Sequence, residues 1–172
     1  KEDRYNYIKE DYKPHHFKTN NLHKLLLYNK DVGISSIRIE NNNVADKTTF
    51  YRNGDCDALI YIQRGNGVLK TNYGDLNFHE GDYIVIPRGV IFQYHLNSKY
   101  ISGLTIDSKA PIETPSRYRN RVGQLLEHSP FCERDIRVPE LQAPIDKEGK
   151  FTVSVRLRSG NKCFIYKKHP FD

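Results

Sequence analysis

The sequence predicts an all-β domain, an antiparallel sandwich or barrel. Three observations carry that expectation. Short apolar or alternating segments recur from Val32 to Asp107, turn residues separate them, and no helical-period run lies between them. The first segment is VGISSIRIE (32–40), after which NNNVADKTT reads as a loop. ALIYIQ (58–63), GVLKTN (67–72) and DLNFH (75–79) follow, broken by Gly65–Gly67 and by the turn at Tyr73–Asp75. DYIVIP (82–87), VIFQYHL (90–96) and YISGLTID (100–107) complete the set.

Around this body (32–107) the pattern predicts two appendages. Residues 1–31 are polar and rich in Tyr and His, with one apolar knot at Leu22 and Leu25 to Leu27, and read as a packing arm, helix or strand. Residues 108–172 read as an extension. SKAPIETPS leaves the barrel on two prolines, RNRVGQLLEH has room for one or two helical turns, and VPELQAPIDKEG is a linker. KFTVSVRLRSGNKCFIYKK is a hairpin turning at Ser159–Asn161. The chain has no methionine and stops at KKHPFD directly after an apolar strand, so both ends read as cut.

Composition narrows the function classes. At 172 residues with 37% hydrophobic content there is enough chain for one core. No apolar run reaches membrane-spanning length and KEDRYNYIKEDYK has no signal-peptide core, so a cytoplasmic protein with no membrane partner is expected. Cys56, Cys132 and Cys163 are odd in number and lack C-x-x-C spacing, which suits free thiols in a reducing compartment. The net charge of +6 is not clustered. Arg117, Arg119, Arg121, Arg134 and Arg137 alternate with Glu127, Glu133, Asp135 and Glu140, a mixture that suits paired arginines in a folded extension or interface. Nucleic acid needs a one-sign surface and is not expected as a partner.

The stretch GDYIVIPRGVIFQY (81–94) contains Gly-x5-Pro-x-Gly ending at Gly89, which resembles the second signature of the cupin superfamily. Gly81 and Gly89 relieve crowded turns, and Pro87 ends a strand where no ladder donor is needed. Metal-binding cupins place a histidine where this chain has Phe92. Counting back from Gly65 puts Ala58 at the glutamate position and Tyr51 and Asn53 near the two histidine positions. Ala58 and Phe92 cannot coordinate, and a neutral Asn53 is a poor ligand for a transition ion. Strand alternation places Ala58, Ile60, Ile62, Phe92 and Tyr94 on the interior and turns Gln93 and His95 outward. No metal and no catalytic residue is therefore expected in this barrel. Other donors are scattered: His15–His16 with His23, Asp55 and Asp57 around Cys56, His128, and Cys132 near Arg134. Solvated histidines, an Asx turn and a capped loop histidine account for these more simply.

The order of motifs from about Val32 to Asp172 resembles the homogentisate 1,2-dioxygenase family, in its bacterial homogentisate-dioxygenase-like branch. RYRNRVGQLLEHSPFCERDIRVPE and the closing HPFD carry most of that resemblance, with FYRNGDCDALIYIQRGNGVLKTNYGDL and GDYIVIPRGVIFQ supporting it. It implies a cupin-type antiparallel jelly-roll barrel with an N-terminal arm and a C-terminal loop plus β-hairpin. Family members are similar to two fused cupin-like halves, with the iron ligands in the second. The chain would then be the non-metal first half of an enzyme that uses Fe(II) and O2 to open a dihydroxyphenylacetate ring in tyrosine catabolism. A missing C-terminal half and a homo-oligomer are the implied partners. Arg117, Arg119, Arg121, His128 and Arg134 are the candidate contacts, and apolar surface is expected along 151–168 and 117–132. A stand-alone metal-free cupin holding a small ligand is the first alternative. A cupin isomerase, which needs an acid–base pair, ranks last because the interior offers only Tyr94.

Overall fold

The computed structural model describes residues 23–41, 47–157 and 160–172, and all statements of structure concern these. They form two antiparallel-rich sheets and, among the described residues, no α-helix. The strands are β1 (His23–Tyr28), β2 (Val32–Glu40), β3 (Thr49–Asn53), β4 (Asp57–Arg64), β5 (Gly67–Thr71), β6 (Gly74–Phe78), β7 (Tyr83–Ile86), β8 (Ile91–Leu96), β9 (Tyr100–Ser108), β10 (Glu148–Leu157) and β11 (Gly160–Lys168). One sheet runs β1-β2-β9-β4-β7 and the other β11-β10-β3-β8-β5-β6.

The inner faces of the two sheets meet in the main core. Ile37, Ile39, Ile60, Ile62, Ile84 and Ile101 come from the first sheet, and Leu69, Phe78, Phe92 and Tyr94 from the second. Period-two alternation is the reason: in β2 and β9 every second residue is buried. Gly65, Gly81 and Gly89 sit at φ +92°, +88° and +88°, where only glycine is unstrained. Gly65 has a second reason, since a Cβ there would lie 2.3 Å from the Tyr100 carbonyl oxygen.

The structure completes several expectations and corrects others. The end of the arm is strand: β1 pairs antiparallel with β2, from His23 opposite Ile37 to Tyr28 opposite Gly33. Strand β3 was hidden because its neighbouring apolar residues serve two cores, Tyr51 the barrel and Phe50 a second cluster, so no alternation shows. RNRVGQLLEH forms no helical turn. The Asn120 side-chain oxygen accepts the N–H groups of Val122 and Gln124, both at 3.0 Å, and Leu126 N–H donates to the Tyr118 carbonyl at 2.9 Å. A side-chain acceptor that satisfies the backbone locally replaces the helical ladder. The linker at 138–149 is strapped to the barrel, with Glu140 and Asp75 exchanging backbone hydrogen bonds of 2.8 and 3.1 Å. The hairpin β10–β11 does not stand apart either, because β10 pairs in parallel with β3.

A second core seals that junction. Phe50, Phe151, Val153 and Val155 are buried together, with Phe171 packed on them. His169, from the closing HPFD, stands edge-on to Phe50 and Phe151 at 5.2 and 5.0 Å between ring centroids. Its Nδ1 accepts the Phe171 N–H at 3.2 Å. Burial, then the charge of Lys147, holds the His169 pKa below its ordinary 6.5, against a smaller upward pull from Asp172. The unfolded chain therefore binds a proton on this ring before the folded chain does. Stability should fall as pH drops below about 6.5 towards the folded-state pKa. We expect the slope of unfolding free energy against pH to flatten in His169→Gln. An unchanged slope would place the pH response on other groups, of which His95 is the first.

Candidate functional site

β3, β4 and β8 bring the metal-signature positions together at one end of the barrel. Tyr51 pairs with Phe92 across the β3–β8 ladder, and their ring centroids lie 6.1 Å apart. Phe92 also meets Tyr94 edge-on at 5.6 Å. Ala58, Ile60, Ile62, Phe92 and Tyr94 are all buried in the main core. The Asn53 side-chain oxygen accepts the backbone N–H groups of Asp55 and Cys56 at 3.1 and 3.0 Å, an Asx turn that occupies its lone pairs. An aliphatic methyl, a phenyl ring, an engaged carboxamide and the single phenol of Tyr51 do not make a ligand set for Fe(II). Among the described residues no three His, Cys, Asp or Glu side chains converge on a point that could hold a metal ion. His23, on β1, lines the same cavity as Tyr51, Asn53 and Ala58, and His15–His16 lie outside the described residues.

The cation candidate Asp57 is a structural clamp. Its Oδ1 accepts the Arg88 backbone N–H at 3.0 Å and the Arg88 Nε–H at 3.1 Å, while its Oδ2 accepts the Ile112 N–H at 3.0 Å. Burial pushes the carboxyl up, but these hydrogen bonds and the Arg88 charge outweigh it and leave the pKa below the ordinary carboxylate value. One carboxylate thus ties the Pro-x-Gly corner to the segment leaving the barrel. Asp55 is half-buried beside that turn.

The inward face of β9 holds what the sequence reading missed. Thr105 and Asp107 are 2% and 4% exposed, and both point into the barrel. Asp107 accepts from Arg156 Nη1 at 2.8 Å and from Asn53 Nδ2 at 3.5 Å, so the hairpin strand β10 reaches the barrel interior through an ion pair. Burial, followed by the charges of Asp107 and Tyr51, raises the Tyr94 pKa far above its ordinary 10. Burial thus favours the neutral O–H form of this phenol. Among the described residues the Thr105 hydroxyl has no hydrogen-bond partner. It faces a cavity of about 40 Å³ lined by the polar side chains of His23, Tyr51, Asn53, Asp107 and Arg156, and also by Ala58 and Phe92. A benzene-sized guest takes roughly 150 Å³. The enclosed space here is smaller than that. The signal was available: with Ile101 inward, a period of two along YISGLTID also turns Thr105 and Asp107 inward.

His95 turns away from the barrel interior but is half-buried, with Nε2 2.7 Å from Gln93 Oε1. Gln93, expected on the same outward face, is nonetheless only 5% exposed, and its amide donates to the Thr49 carbonyl at 2.8 Å. Burial and the Lys70 and Lys47 charges lower the His95 pKa, against an opposing pull from Asp75.

The candidate contact residues do not form a single site. Arg119 pairs with Glu113 at 3.3 Å, and Arg117 lies over the Tyr118 ring at 4.7 Å. Arg121, His128 and Arg134 are exposed. Arg137 instead ties the loop back to the barrel through Asp82 and the Asn77 carbonyl. Cys132 is half-buried, and its backbone N–H donates to Asp135 at 2.9 Å.

A family model described as homogentisate 1,2-dioxygenase N-terminal matches residues 17–117. A relative from Saccharolobus solfataricus, described provisionally as a dioxygenase, is 33% identical over 171 residues. That match covers 94% of this chain and 43% of the relative, so the chain spans less than half of the relative's length. A cupin-2 domain protein from Shewanella frigidimarina is 13% identical with a TM-score of 0.42, covering 60% of this chain and 91% of its own. A cupin 2 conserved barrel protein from Leptotrichia buccalis is 16% identical with a TM-score of 0.43, covering 51% and 40% respectively.

Proposed function

Because the chain belongs to the homogentisate 1,2-dioxygenase N-terminal family, we propose that it is the metal-free barrel of a homogentisate-dioxygenase-type enzyme, whose iron and reacting centre lie in a separate half. The observation that supports this most directly is the filling of the signature positions. Ala58 and Phe92 pack into the core where a ligand would have to stand. Fe(II) does not fit the described residues at the signature positions, and no step of ring cleavage is assigned to them. The role left to this half is to fold, to present its surfaces to the catalytic half, and to take part in assembly.

The test is direct. Purified chain should hold no stoichiometric iron, zinc or manganese by elemental analysis, and its melting curve should be the same with and without chelator. A tightly held structural metal adds about 10 kcal/mol or more of binding free energy, so its removal would lower the melting temperature visibly. Homogentisate should not be consumed by this chain with Fe(II) supplied. It should be consumed once a polypeptide equivalent to the uncovered part of the longer relative is added. One equivalent of tightly bound metal, or ring cleavage by this chain alone, would refute the proposal. A barrel that holds a small uncharged ligand is a second reading, favoured by the unpartnered Thr105 hydroxyl facing the cavity.

A further inference from the structure

We propose that the barrel cavity is a binding site for a small neutral alcohol, one whose hydroxyl is held between Thr105 and Asp107. This rests on the reading of the barrel as the holder of a small uncharged ligand, and it names the chemical class of that ligand. Thr105 and Asp107 are 2% and 4% exposed, and both line the cavity. Among the described residues the Thr105 hydroxyl has no hydrogen-bond partner. Buried hydroxyls are almost always paired, so this one calls for a guest that can reach it. His23, Tyr51 and Arg156 also line the cavity but have partners of their own.

The form of the polar pair selects the functional group. Asp107 accepts from Arg156 Nη1 at 2.8 Å and from Asn53 Nδ2 at 3.5 Å. A carboxylate has about four acceptor sites, so it can take a further donor. Thr105 and Asp107 are two positions apart on the inward face of β9, roughly 6.6 Å along the strand. One oxygen between them can accept from the Thr105 hydroxyl and donate to the Asp107 carboxylate, each at an ordinary length of about 2.8 Å. A hydroxyl does both, whereas a carbonyl only accepts and an ammonium only donates.

Charge and size narrow the class further. The Asp107 charge is already matched by Arg156, so an ionic guest would bring an unmatched charge into a buried site. Ile39, Ala58, Ile60, Ile86 and Phe92 complete much of the lining and favour an alkyl part over additional water. A water molecule needs about 10–15 Å³ of such space, and the cavity has about 40 Å³, room for three or four groups of that size. One is the hydroxyl oxygen and the others are carbons. Ethanol and 1-propanol fit that description, and 1-hexanol is too long.

The probe is 1-propanol, titrated into the purified chain while the methyl NMR signals of Ala58, Ile60 and Thr105 are followed. The shifts should saturate with a Kd on the order of 1–10 mM, within reach of a ligand of four non-hydrogen atoms. Thr105→Val keeps the shape of the side chain and removes the hydroxyl, and should weaken binding about tenfold. Thr105→Ser should keep most of the wild-type affinity. Acetone, equal in size but without a hydroxyl proton, should bind the wild-type chain about tenfold more weakly, which gives the same test should Thr105→Val fold poorly. Acetone binding as tight as that of 1-propanol overturns the alcohol and leaves the small-ligand barrel standing. No saturable shift with either probe, and only water at Thr105 in a high-resolution crystal structure, overturns both. An affinity that is unchanged in Thr105→Val, or that climbs steadily to 1-hexanol, overturns the proposal as well, because the alcohol is then partitioning onto apolar surface. Metal content and ring cleavage do not depend on any of these outcomes.

Discussion

Phe92→Ala should lower the free energy of unfolding by about 3–5 kcal/mol, the range for deleting a large buried ring. Phe92 is 7% exposed and stacks between Tyr51 and Tyr94, whose own burial depends on it. The space it vacates adjoins the existing cavity of about 40 Å³, so the neighbours would have to close a larger void than the ring alone leaves. His95→Ala, three residues on, should cost much less. It removes a half-buried ring and leaves Gln93 Oε1 short of one partner. Urea titrations of the two variants give the ranking. The reverse order would mean that β8 is rotated by one residue, with the ligand position facing outward and the barrel interior wrongly assigned.

Arg156→Ala should cost a similar amount, about 3–5 kcal/mol, because it strands a buried carboxylate. The Arg156 and Asp107 side chains are 14% and 5% exposed and 2.8 Å apart, and the Asn53 amide, at 3.5 Å, is a weaker donor to the same carboxylate. The pair also joins the hairpin to the barrel, since Arg156 is on β10 and Asp107 on β9. Replacing both partners, as in Arg156→Met with Asp107→Leu, should recover most of the loss because no charge is then left unpaired. Chemical denaturation of the single and double variants measures the coupling. A loss below about 1 kcal/mol in Arg156→Ala would show that the carboxylate is hydrated and the pair peripheral.

The barrel body was legible in the sequence because its signals are local. Alternation in VGISSIRIE and DYIVIP and the glycine-proline corner at 81–89 follow from strand pleat and turn sterics, which act between residues close in the chain. That Ala58 and Phe92 carry no donor atoms was legible for the same reason, since it belongs to those side chains wherever they sit. What failed locally was β3, whose Phe50 and Tyr51 serve separate cores and so leave no alternation to detect. RNRVGQLLEH failed differently. Its apolar spacing allowed a helical turn, but Asn120 offered the backbone nearer acceptors.

Three features were decided by tertiary structure alone, each through contacts between distant segments. The Arg156–Asp107 pair joins positions 49 residues apart. The parallel pairing of β10 with β3 turns a predicted appendage into part of a sheet, and only the fold brings those two strands side by side. The apolar row Val85, Leu59, Ile106, Ile34 and Leu27, on the outer face of the five-stranded sheet, exists only because four separate ladder registers line up single residues from five strands. In the sequence each of those residues is one more outward position on a strand. Their alignment is a property of the sheet, because register fixes which side chains become neighbours and no single strand carries that information.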